Sequence, residues 1–142
     1  MDPRKRVIRH AELSDLPVCE ELYSTARGGL AHKIESSEVI VAEEDGVVCG
    51  CLVLTFIWPT LPYMNLIRVR AGFRNRGVGT AMLKHTEEWL RSLDHEVLLS
   101  SSQVDESEPQ DWHRKRGFTE CGILTSVNSG KVGEVFFRKE LR

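Results

Sequence analysis

RNRGVGTA, residues 74–81, is the stretch of sequence that decides the fold of this chain. It joins a predicted strand to a predicted amphipathic helix that begins at Thr80. The N–H groups at a helix N-terminus attract anions, and glycines let a phosphate approach the backbone closely. Arg74 and Arg76 add positive charge that we expect to be mobile. The stretch therefore predicts a phosphate-binding loop, and a glycine turn without a chemical role is the alternative.

Two other classes of phosphate-binding motif are excluded by the residues that follow Gly79. A nucleoside-triphosphate P-loop needs Gly-Lys-Ser/Thr, whereas Gly79 is followed by Thr80 and Ala81. A dinucleotide-binding fingerprint needs a third glycine three residues after Gly79, and that residue is Met82. The pattern that remains is Arg/Gln-x-x-Gly-x-Gly/Ala.

The strand that precedes the loop changes its alternation. Its apolar residues occupy even positions at Met64 and Leu66 and odd positions at Ile67 and Val69, as one extra residue would produce. We therefore expect a β-bulge near Leu66 and Ile67. An unpaired N–H at the bulge could bind a ligand carbonyl, or the bulge could be a purely structural kink.

Other strands are predicted where short apolar runs end at turn residues. The run 47–58 is the longest; it follows a hairpin turn at residues 44–46 and is expected to stop at Pro59 and Pro62. The expected strands outside the motif segment span residues 5–10, 38–43, 47–58, 97–100, 120–125 and 134–141.

Two further helices are predicted on either side of this segment. The first has Ser14 as its N-cap and ends or bends at Arg27-Gly28-Gly29. The second is short; Ser107 and Gln110 form a Ser-x-x-Gln capping box at its start, and Gly117 is its C-cap.

The helix after the loop is predicted over residues 80–93 from its helical periodicity. Its apolar stripe consists of Met82, Leu83, Trp89, Leu90 and Leu93. Its polar face consists of Lys84, Glu87, Glu88 and Arg91.

Composition limits the class of protein. A chain of 142 residues with 41% hydrophobic content encloses one core, so we expect a single domain over residues 1–142. The net charge of −2 lacks the basic excess typical of nucleic-acid-binding proteins. No apolar h-region follows the basic N-terminus, and no stretch approaches the ~18 apolar residues of a membrane span. We expect a cytoplasmic protein with neither nucleic acid nor membrane as a partner.

The four cysteines indicate no metal site. Cys49 and Cys51 form a C-x-C pair, which lacks the C-x-x-C spacing and the second pair typical of zinc sites. Together with Cys19 and Cys121, they are expected to be reduced and mostly buried thiols.

Residues 67–79 resemble motif A of the GNAT (GCN5-related N-acetyltransferase) superfamily, which has a strand, a loop and then Arg-Gly-x-Gly. Residues 112–118, WHRKRGF, are similar to motif B of that family. The order of the predicted elements is similar as well, over nearly the full chain. The resemblance implies a mixed α/β fold, with a mostly antiparallel splayed sheet of about six or seven strands and about four flanking helices.

The resemblance also implies that coenzyme A is the ligand, with acetyl-CoA as co-substrate and no metal. The pyrophosphate would rest on backbone N–H groups of residues 74–80, and the acetyl carbonyl would lie against the backbone of Ile67 and Val69. The strand over residues 97–100 and the bulged strand would hold the pantetheine arm. The implied cofactor-binding residues are Ile67, Val69, Arg74, Asn75, Arg76, Gly77, Val78, Gly79 and Thr80.

The implied reaction is direct attack of an amine on the thioester, which needs a base, an oxyanion donor and an acid. Backbone N–H groups near Val69 could stabilise the oxyanion. His113 lies where many family members have a tyrosine, four residues before the glycine of Gly-Phe. A histidine with an ordinary pKa is only about a quarter protonated at pH 7, so a His113 acid would make the rate fall as pH rises. The alternative is a helix residue packed beside Trp112 without a proton role.

The general base is left open by the sequence. Many family members have a glutamate on the motif strand, and the nearby polar residue here is Asn65, which cannot accept the proton. Either a chain of water molecules carries the proton to a base elsewhere, or the acceptor amine is already neutral when it binds. The weak candidates for a distant base are Glu20, Glu21, His32 and Glu35.

A second departure from the family pattern concerns the pantetheine. The family commonly has an asparagine eleven residues before the motif B glycine, where this chain has Glu106. The negatively charged carboxylate of Glu106 would not reproduce the contact between the asparagine amide and the pantetheine. Ser107 could substitute, although a cap role explains it without a ligand.

The acceptor pocket is expected in loops. Residues 25–37, 58–63 and 125–133 would shape it, and Trp58, Tyr63 and Trp112 suggest a partly apolar wall. A polyamine, an amino acid, an antibiotic amine, a protein N-terminus and a lysine all stay open as acceptors. A non-catalytic acyl-CoA-binding regulatory module is the alternative function, and sheet edges make a homodimer conceivable.

Overall fold

The computed structural model describes residues 5–23 and 29–142. Within them, four α-helices accompany a seven-stranded sheet in the order β1-β2-β3-β4-β5-β7-β6. The strands are β1 Arg6–His10, β2 Val39–Glu44, β3 Val47–Trp58, β4 Leu61–Val69, β5 Val97–Gln103, β6 Thr119–Leu124 and β7 Glu134–Glu140. The helices are α1 Leu16–Leu22, α2 Leu30–Glu35, α3 Val78–Ser92 and α4 Ser107–Lys115. The predicted mixed α/β fold is confirmed.

The chain divides into two compact units, which are described separately. Unit 1 comprises Met1–Leu54 and Leu66–Trp89, and unit 2 comprises Thr55–Asn65 and Leu90–Arg142. The expectation of one domain over residues 1–142 stays a prediction.

Unit 1 is built on the antiparallel strands β1, β2 and β3, with Arg9 opposite Val41 and Val41 opposite Cys51. A buried apolar cluster joins α1 and α2 to β2 and β3, and it comprises Ala11, Cys19, Leu22, Leu30, Ile34, Val39, Val41, Cys51 and Val53. α3 packs closely against β3 at Gly50. A Cβ on Gly50 would lie 2.9 Å from Met82 Cε and 3.3 Å from Val78 Cγ1, so this glycine sets how near the helix comes.

The hairpin between β2 and β3 is confirmed. Asp45 and Gly46 have φ of 52° and 83°, the left-handed pair of a two-residue turn. The end of β3 at Trp58 is also as predicted, but Pro62 lies inside β4 rather than stopping a strand. Proline lacks only the N–H donor, so a strand position that does not use that donor can hold it.

Unit 2 is built on β5, β7 and β6. Tyr63 of β4 pairs in parallel with Leu99 of β5. β7 runs antiparallel to both β5 and β6, with Phe137 opposite Ser100 and Glu120. Its largest buried side chains include Leu98, Phe118 and Phe137.

The start of the first helix differs from the prediction. α1 has Asp15 rather than Ser14 as its N-cap. The Asp15 carboxylate accepts the Glu12 N–H at 2.8 Å and two Arg9 donors at 2.7 and 3.0 Å, so ion pairing fixes the helix start. Of the predicted helix stop at residues 27–29, Arg27 and Gly28 lie outside the described residues, and Gly29 precedes α2 with φ of 85°.

Two expectations for α3 are wrong. Glu87 is 6% exposed rather than part of a solvated face, and Leu93 lies beyond the helix and is 50% exposed. The buried stripe instead includes Met82, Leu83 and Leu90. The polar face is therefore narrower than the sequence pattern indicated.

The capping box of α4 is wrong as well. Glu106 is the N-cap, without a side-chain cap bond, and Gln110 Nε2 donates to the carbonyls of Gln103 and Val104 at 3.0 and 3.1 Å. The carbonyls at and just after the end of β5 therefore compete with the start of α4 for the Gln110 amide. The C-terminal prediction is confirmed, since Gly117 has φ of 92° and the next N–H, that of Phe118, donates to His113 O at 3.0 Å.

All four cysteines are free; Cys19, Cys49 and Cys51 are buried and Cys121 is exposed. In residues 5–23 and 29–142, no helix is long and apolar enough to cross a membrane. The bulge expected near Leu66 and Ile67 stays a prediction.

Candidate functional site

The predicted phosphate loop, residues 74–80, lies in unit 1 after β4 and includes the first residues of α3. Asn75 and Gly77 both have left-handed backbone, with φ of 63° and 82°. The N–H of Ala81 donates to Gly77 O at 2.9 Å, which makes Gly77 the residue that opens α3. The N–H groups of Val78 and Gly79 therefore have no acceptor within the helix. Two left-handed residues followed by a helix N-terminus form a site suited to an anion.

The arginines of the loop are tethered rather than mobile, which corrects the expectation. Arg74 Nε donates to Val69 O at 3.0 Å. Arg76 Nη2 donates to Gly72 O at 3.0 Å, and its guanidinium lies 5.1 Å from the centre of the Phe73 ring. A guanidinium has five N–H donors in a rigid fork, so backbone carbonyls in a tight turn capture it readily.

Glu44 fastens the loop to β2. Its side chain is 1% exposed, and it accepts Arg6 Nη2 at 2.7 Å and Arg76 Nη1 at 3.2 Å. Arg6 Nη2 also donates to Arg76 O at 2.9 Å. Sequence reasoning assigned Glu44 only to the hairpin turn. The available signal was a carboxylate at the end of a strand that begins with four apolar residues, since a buried carboxylate needs a cationic partner.

The other predicted cofactor residues share this segment. Ile67 and Val69 are half-buried near the end of β4, and the N–H of Arg70 donates to Cys49 O at 2.8 Å directly after them. Val78 is buried in the first turn of α3, whereas Thr80 is exposed. The structure therefore brings the predicted residues 67–80 together in unit 1.

His113 lies in unit 2 and is 5% exposed. Its Nδ1 lies 2.7 Å from Pro109 O and its Nε2 lies 2.6 Å from Ser100 Oγ. Because a carbonyl only accepts, Nδ1 carries the proton and Nε2 of the neutral ring accepts the Ser100 hydroxyl. The ring stacks on Phe137 with centroids 4.8 Å apart. Burial lowers the pKa of His113, against a smaller rise from the Pro109 hydrogen bond.

These contacts fit the packing alternative for His113. Both ring nitrogens are used within the protein, and Trp112 lies edge-on to the ring with centroids 5.4 Å apart. The proton-donor role of His113 stays a prediction.

The positions considered for a general base are placed as follows. In unit 2, Asn65 Oδ1 accepts the Thr55 hydroxyl at 3.0 Å. In unit 1, Glu21 lies 3.3 Å from Arg70 Nη2, and Glu20 and Glu35 are exposed. None of these contacts marks one of them as a base.

A polar chain in unit 2 was missed by sequence reasoning. Tyr63 Oη lies 2.6 Å from Ser101 Oγ, which donates to Glu134 Oε2 at 2.5 Å. The other carboxylate oxygen accepts Asn128 Nδ2 at 3.0 Å. The Tyr63 ring stacks on Phe136 with centroids 5.6 Å apart. The only signal in the sequence was the serine run at residues 100–102, which begins at the last residue of the predicted strand 97–100.

No group of three or more His, Cys, Asp or Glu that could hold a metal ion is found among residues 5–23 and 29–142.

Comparisons with known proteins give a family match for this chain. The family model described as "Acetyltransferase (GNAT) family" matches residues 7–118. A comparison with curated protein sequences returned no match.

Solved structures similar to this chain share its fold. Ard1 from Thermoplasma volcanium has a TM-score of 0.82 at 19% identity, covering 95% of this chain and 97% of its own. Ribosomal-protein-alanine N-acetyltransferase from Brucella melitensis has a TM-score of 0.80 at 24% identity, covering 94% and 99%. YncA from Salmonella typhimurium, a structure with its cofactor acetyl-CoA, has a TM-score of 0.80 at 17% identity, covering 96% and 94%.

Proposed function

The chain belongs to the GNAT family of acetyltransferases, and from that premise we propose that it moves an acetyl group from acetyl-CoA to a primary amine by direct attack on the thioester. The observation that carries the proposal is the loop of residues 74–80. Its left-handed Asn75 and Gly77 and the first turn of α3 present backbone N–H groups to an anion. The similar fold of the acetyl-CoA-bound YncA structure supports the same ligand.

In this proposal the loop binds the pyrophosphate. The N–H groups of Val78 and Gly79 donate to phosphate oxygens, and the exposed Arg74 and Arg76 supply positive potential from fixed positions. Glu44 neutralises part of the charge of Arg76 but holds the guanidinium in place. A preorganised loop loses less conformational entropy on binding than a mobile one.

The backbone N–H groups of Ile67 and Val69 would hold the acetyl carbonyl and stabilise the oxyanion that forms on it. These N–H groups are uncharged, so no counter-charge is needed to neutralise them. Acetyl-CoA supplies the acetyl group as a thioester. If His113 protonates the departing thiolate, its Nε2 must first gain a proton and give up the Ser100 hydroxyl, because in the structure that nitrogen is unprotonated and accepts this hydrogen bond.

A second candidate function is a non-catalytic acyl-CoA-binding regulatory module. Two observations favour it: Asn65 cannot take a proton, and His113 is buried with both nitrogens hydrogen-bonded. Both candidates require coenzyme A binding, and only the enzyme requires turnover.

Calorimetry with acetyl-CoA tests the proposal. Gly77→Glu places bulk and negative charge in the loop and is expected to abolish binding. Gly46→Glu is the matched control, because Gly46 is also left-handed, with φ of 83° and no atom within 4 Å of an added Cβ. Binding by the control and by the wild type, but not by Gly77→Glu, supports the site. Absence of binding by the wild type overturns the proposal.

Turnover separates the two candidate functions. Release of coenzyme A thiol is followed with spermidine, free lysine and an alanine-initiated peptide. The peptide is included because the Brucella melitensis neighbour is named as a ribosomal-protein-alanine N-acetyltransferase. Binding accompanied by thiol release with an amine supports the enzyme, and binding without release supports the regulatory module.

A further inference from the structure

We propose that Arg6 is a further binding residue for acetyl-CoA, and that its Nη1 group donates hydrogen bonds to the pyrophosphate. This inference rests on the acetyl-CoA binding proposed above, and it adds a residue of β1 to the predicted phosphate loop. Arg6, Glu44 and residues 74–80 all belong to unit 1.

The Arg6 guanidinium is held in one orientation by the protein. Its Nε and Nη2 donate to Glu44 Oε2 at 2.9 and 2.7 Å, and Nη2 also donates to Arg76 O at 2.9 Å. Because a guanidinium is planar and rigid, these bonds fix the position of Nη1 as well. Nη1 is therefore placed by contacts in which it takes no part itself.

The two N–H donors of Nη1 are open to a ligand. Within residues 5–23 and 29–142, the hydrogen bonds of the Arg6 side chain start from Nε and Nη2, and none starts from Nη1. The side chain is 29% exposed, and Nη1 is not among the buried nitrogens without a partner, so it is accessible. By contrast, both terminal nitrogens of Arg76 already donate, to Glu44 and to the Gly72 carbonyl.

Nη1 of Arg6 lies beside the turn that opens α3. A Cβ built on Gly77 would lie 3.8 Å from Nη1, so a side chain at residue 77 would enter the space next to it. Glycine leaves that space open. Gly77 directly precedes Val78 and Gly79, whose N–H groups are assigned to the phosphate above. A phosphate at this turn therefore receives donors from the backbone and from Arg6 together.

The charges at the turn suit a pyrophosphate. The Glu44 carboxylate pairs with Arg6 and Arg76, and Arg74 is tethered to the Val69 carbonyl. These arginines together carry more positive charge than the single carboxylate neutralises. Each phosphate of the coenzyme A pyrophosphate carries a negative charge, and hydrogen bonds between ionised partners are stronger than those between neutral ones.

Calorimetry with acetyl-CoA tests the contact. Arg6→Gln should weaken binding at least ~10-fold, as for loss of a hydrogen bond between charged groups. Lys5→Gln is the matched control, because it removes the same charge from the exposed neighbouring residue, and it should bind as the wild type does. Equal losses in the two variants would mean that only the general positive potential matters and would overturn the inference.

Arg6→Lys separates the contact from bracing of the loop. A lysine ammonium can still pair with Glu44, but it has no second terminal nitrogen to present to the ligand. We expect Arg6→Lys to unfold in urea near the wild-type midpoint and yet to lose affinity as Arg6→Gln does. Binding by Arg6→Lys at wild-type strength contradicts the proposal, because bracing alone would then explain Arg6.

A second ligand identifies the phosphate that is bound. Acetyl-dephospho-CoA keeps the pyrophosphate and lacks the phosphate on the ribose, so Arg6→Gln should weaken its binding by the same factor. A loss confined to acetyl-CoA would place the ribose phosphate at Arg6 and overturn the pyrophosphate assignment. If the wild type binds acetyl-CoA and the Arg6 variants bind equally well, this inference alone fails, whereas a wild type that does not bind acetyl-CoA overturns the proposed function.

Discussion

The guanidinium of Arg76 and the carboxylate of Glu44 lie 3.2 Å apart, and the carboxylate is almost wholly buried. Since Arg6 binds the same carboxylate at 2.7 Å, one acidic side chain holds two arginines beside the predicted phosphate loop. Leaving a buried carboxylate without a cationic partner costs free energy, so the ion pairs of Glu44 hold residues 74–80 firmly to β2.

We expect Glu44→Gln to lower the free energy of unfolding by about 1–3 kcal/mol, because an amide cannot neutralise the two guanidinium groups. Urea unfolding measures the change. Glu43→Gln is the control, since Glu43 is a half-buried neighbour whose ion pair, among the described residues, is with Arg9. An equal loss in both variants would contradict a special role for Glu44.

Gly77→Ala should separate loop geometry from general strain. Gly77 and Gly46 both have φ near 82° and leave room for a Cβ, so alanine at either should cost about 1 kcal/mol of stability. Only Gly77→Ala should also weaken acetyl-CoA binding in calorimetry. The hypothesis fails if Gly46→Ala weakens binding as much.

Gly50→Val should destabilise the packing of α3 on β3. An added Cβ would lie 2.9 Å from Met82 Cε and 3.3 Å from Val78 Cγ1, so Met82 must move and the larger side chain overpacks the contact. The expected loss is about 1–3 kcal/mol in urea unfolding. Gly122→Val in β6 meets no atom within 4 Å at Cβ and should change stability little. Comparable losses would refute the packing argument.

The pH dependence of stability should reveal the buried His113. Burial lowers its folded-state pKa below that of the unfolded chain, so the unfolded state binds more protons on the acidic side. The contribution of neutral His113 to the free energy of unfolding is complete above the pKa of the unfolded state, near 6.5, and is lost as pH falls through the pKa of the folded state. His10 shares this direction, because burial and His85 lower its pKa.

In His113→Phe, the part of this pH dependence due to His113 should disappear, and stability should fall by about 1–3 kcal/mol because Ser100 and the Pro109 carbonyl lose their partner. Unfolding measured from pH 5 to 8 checks this. If kcat/KM also falls and changes its pH profile, His113 is the acid; unchanged kcat/KM leaves it a packing residue.

Much of the fold could be predicted because it depends on local patterns. The strand Val47–Trp58 has the predicted bounds, and the left-handed Asp45 and Gly46 form the predicted turn. Helix starts were less predictable. Asp15 is the N-cap instead of Ser14 because Arg9, six residues earlier, pairs with the Asp15 carboxylate. The Gln110 amide donates to a carbonyl at the end of β5 instead of forming the expected capping box.

By itself, the sequence determined the element order and the family, and the match over residues 7–118 confirms the family. These depend on side-chain periodicity and on glycines in short segments. Only the tertiary structure decided which polar groups meet: Arg76 with Glu44, 32 residues apart, and Tyr63 with Ser101, 38 residues apart. Strand pairing and its register create such contacts, and no local pattern encodes the partner of a single carboxylate or hydroxyl.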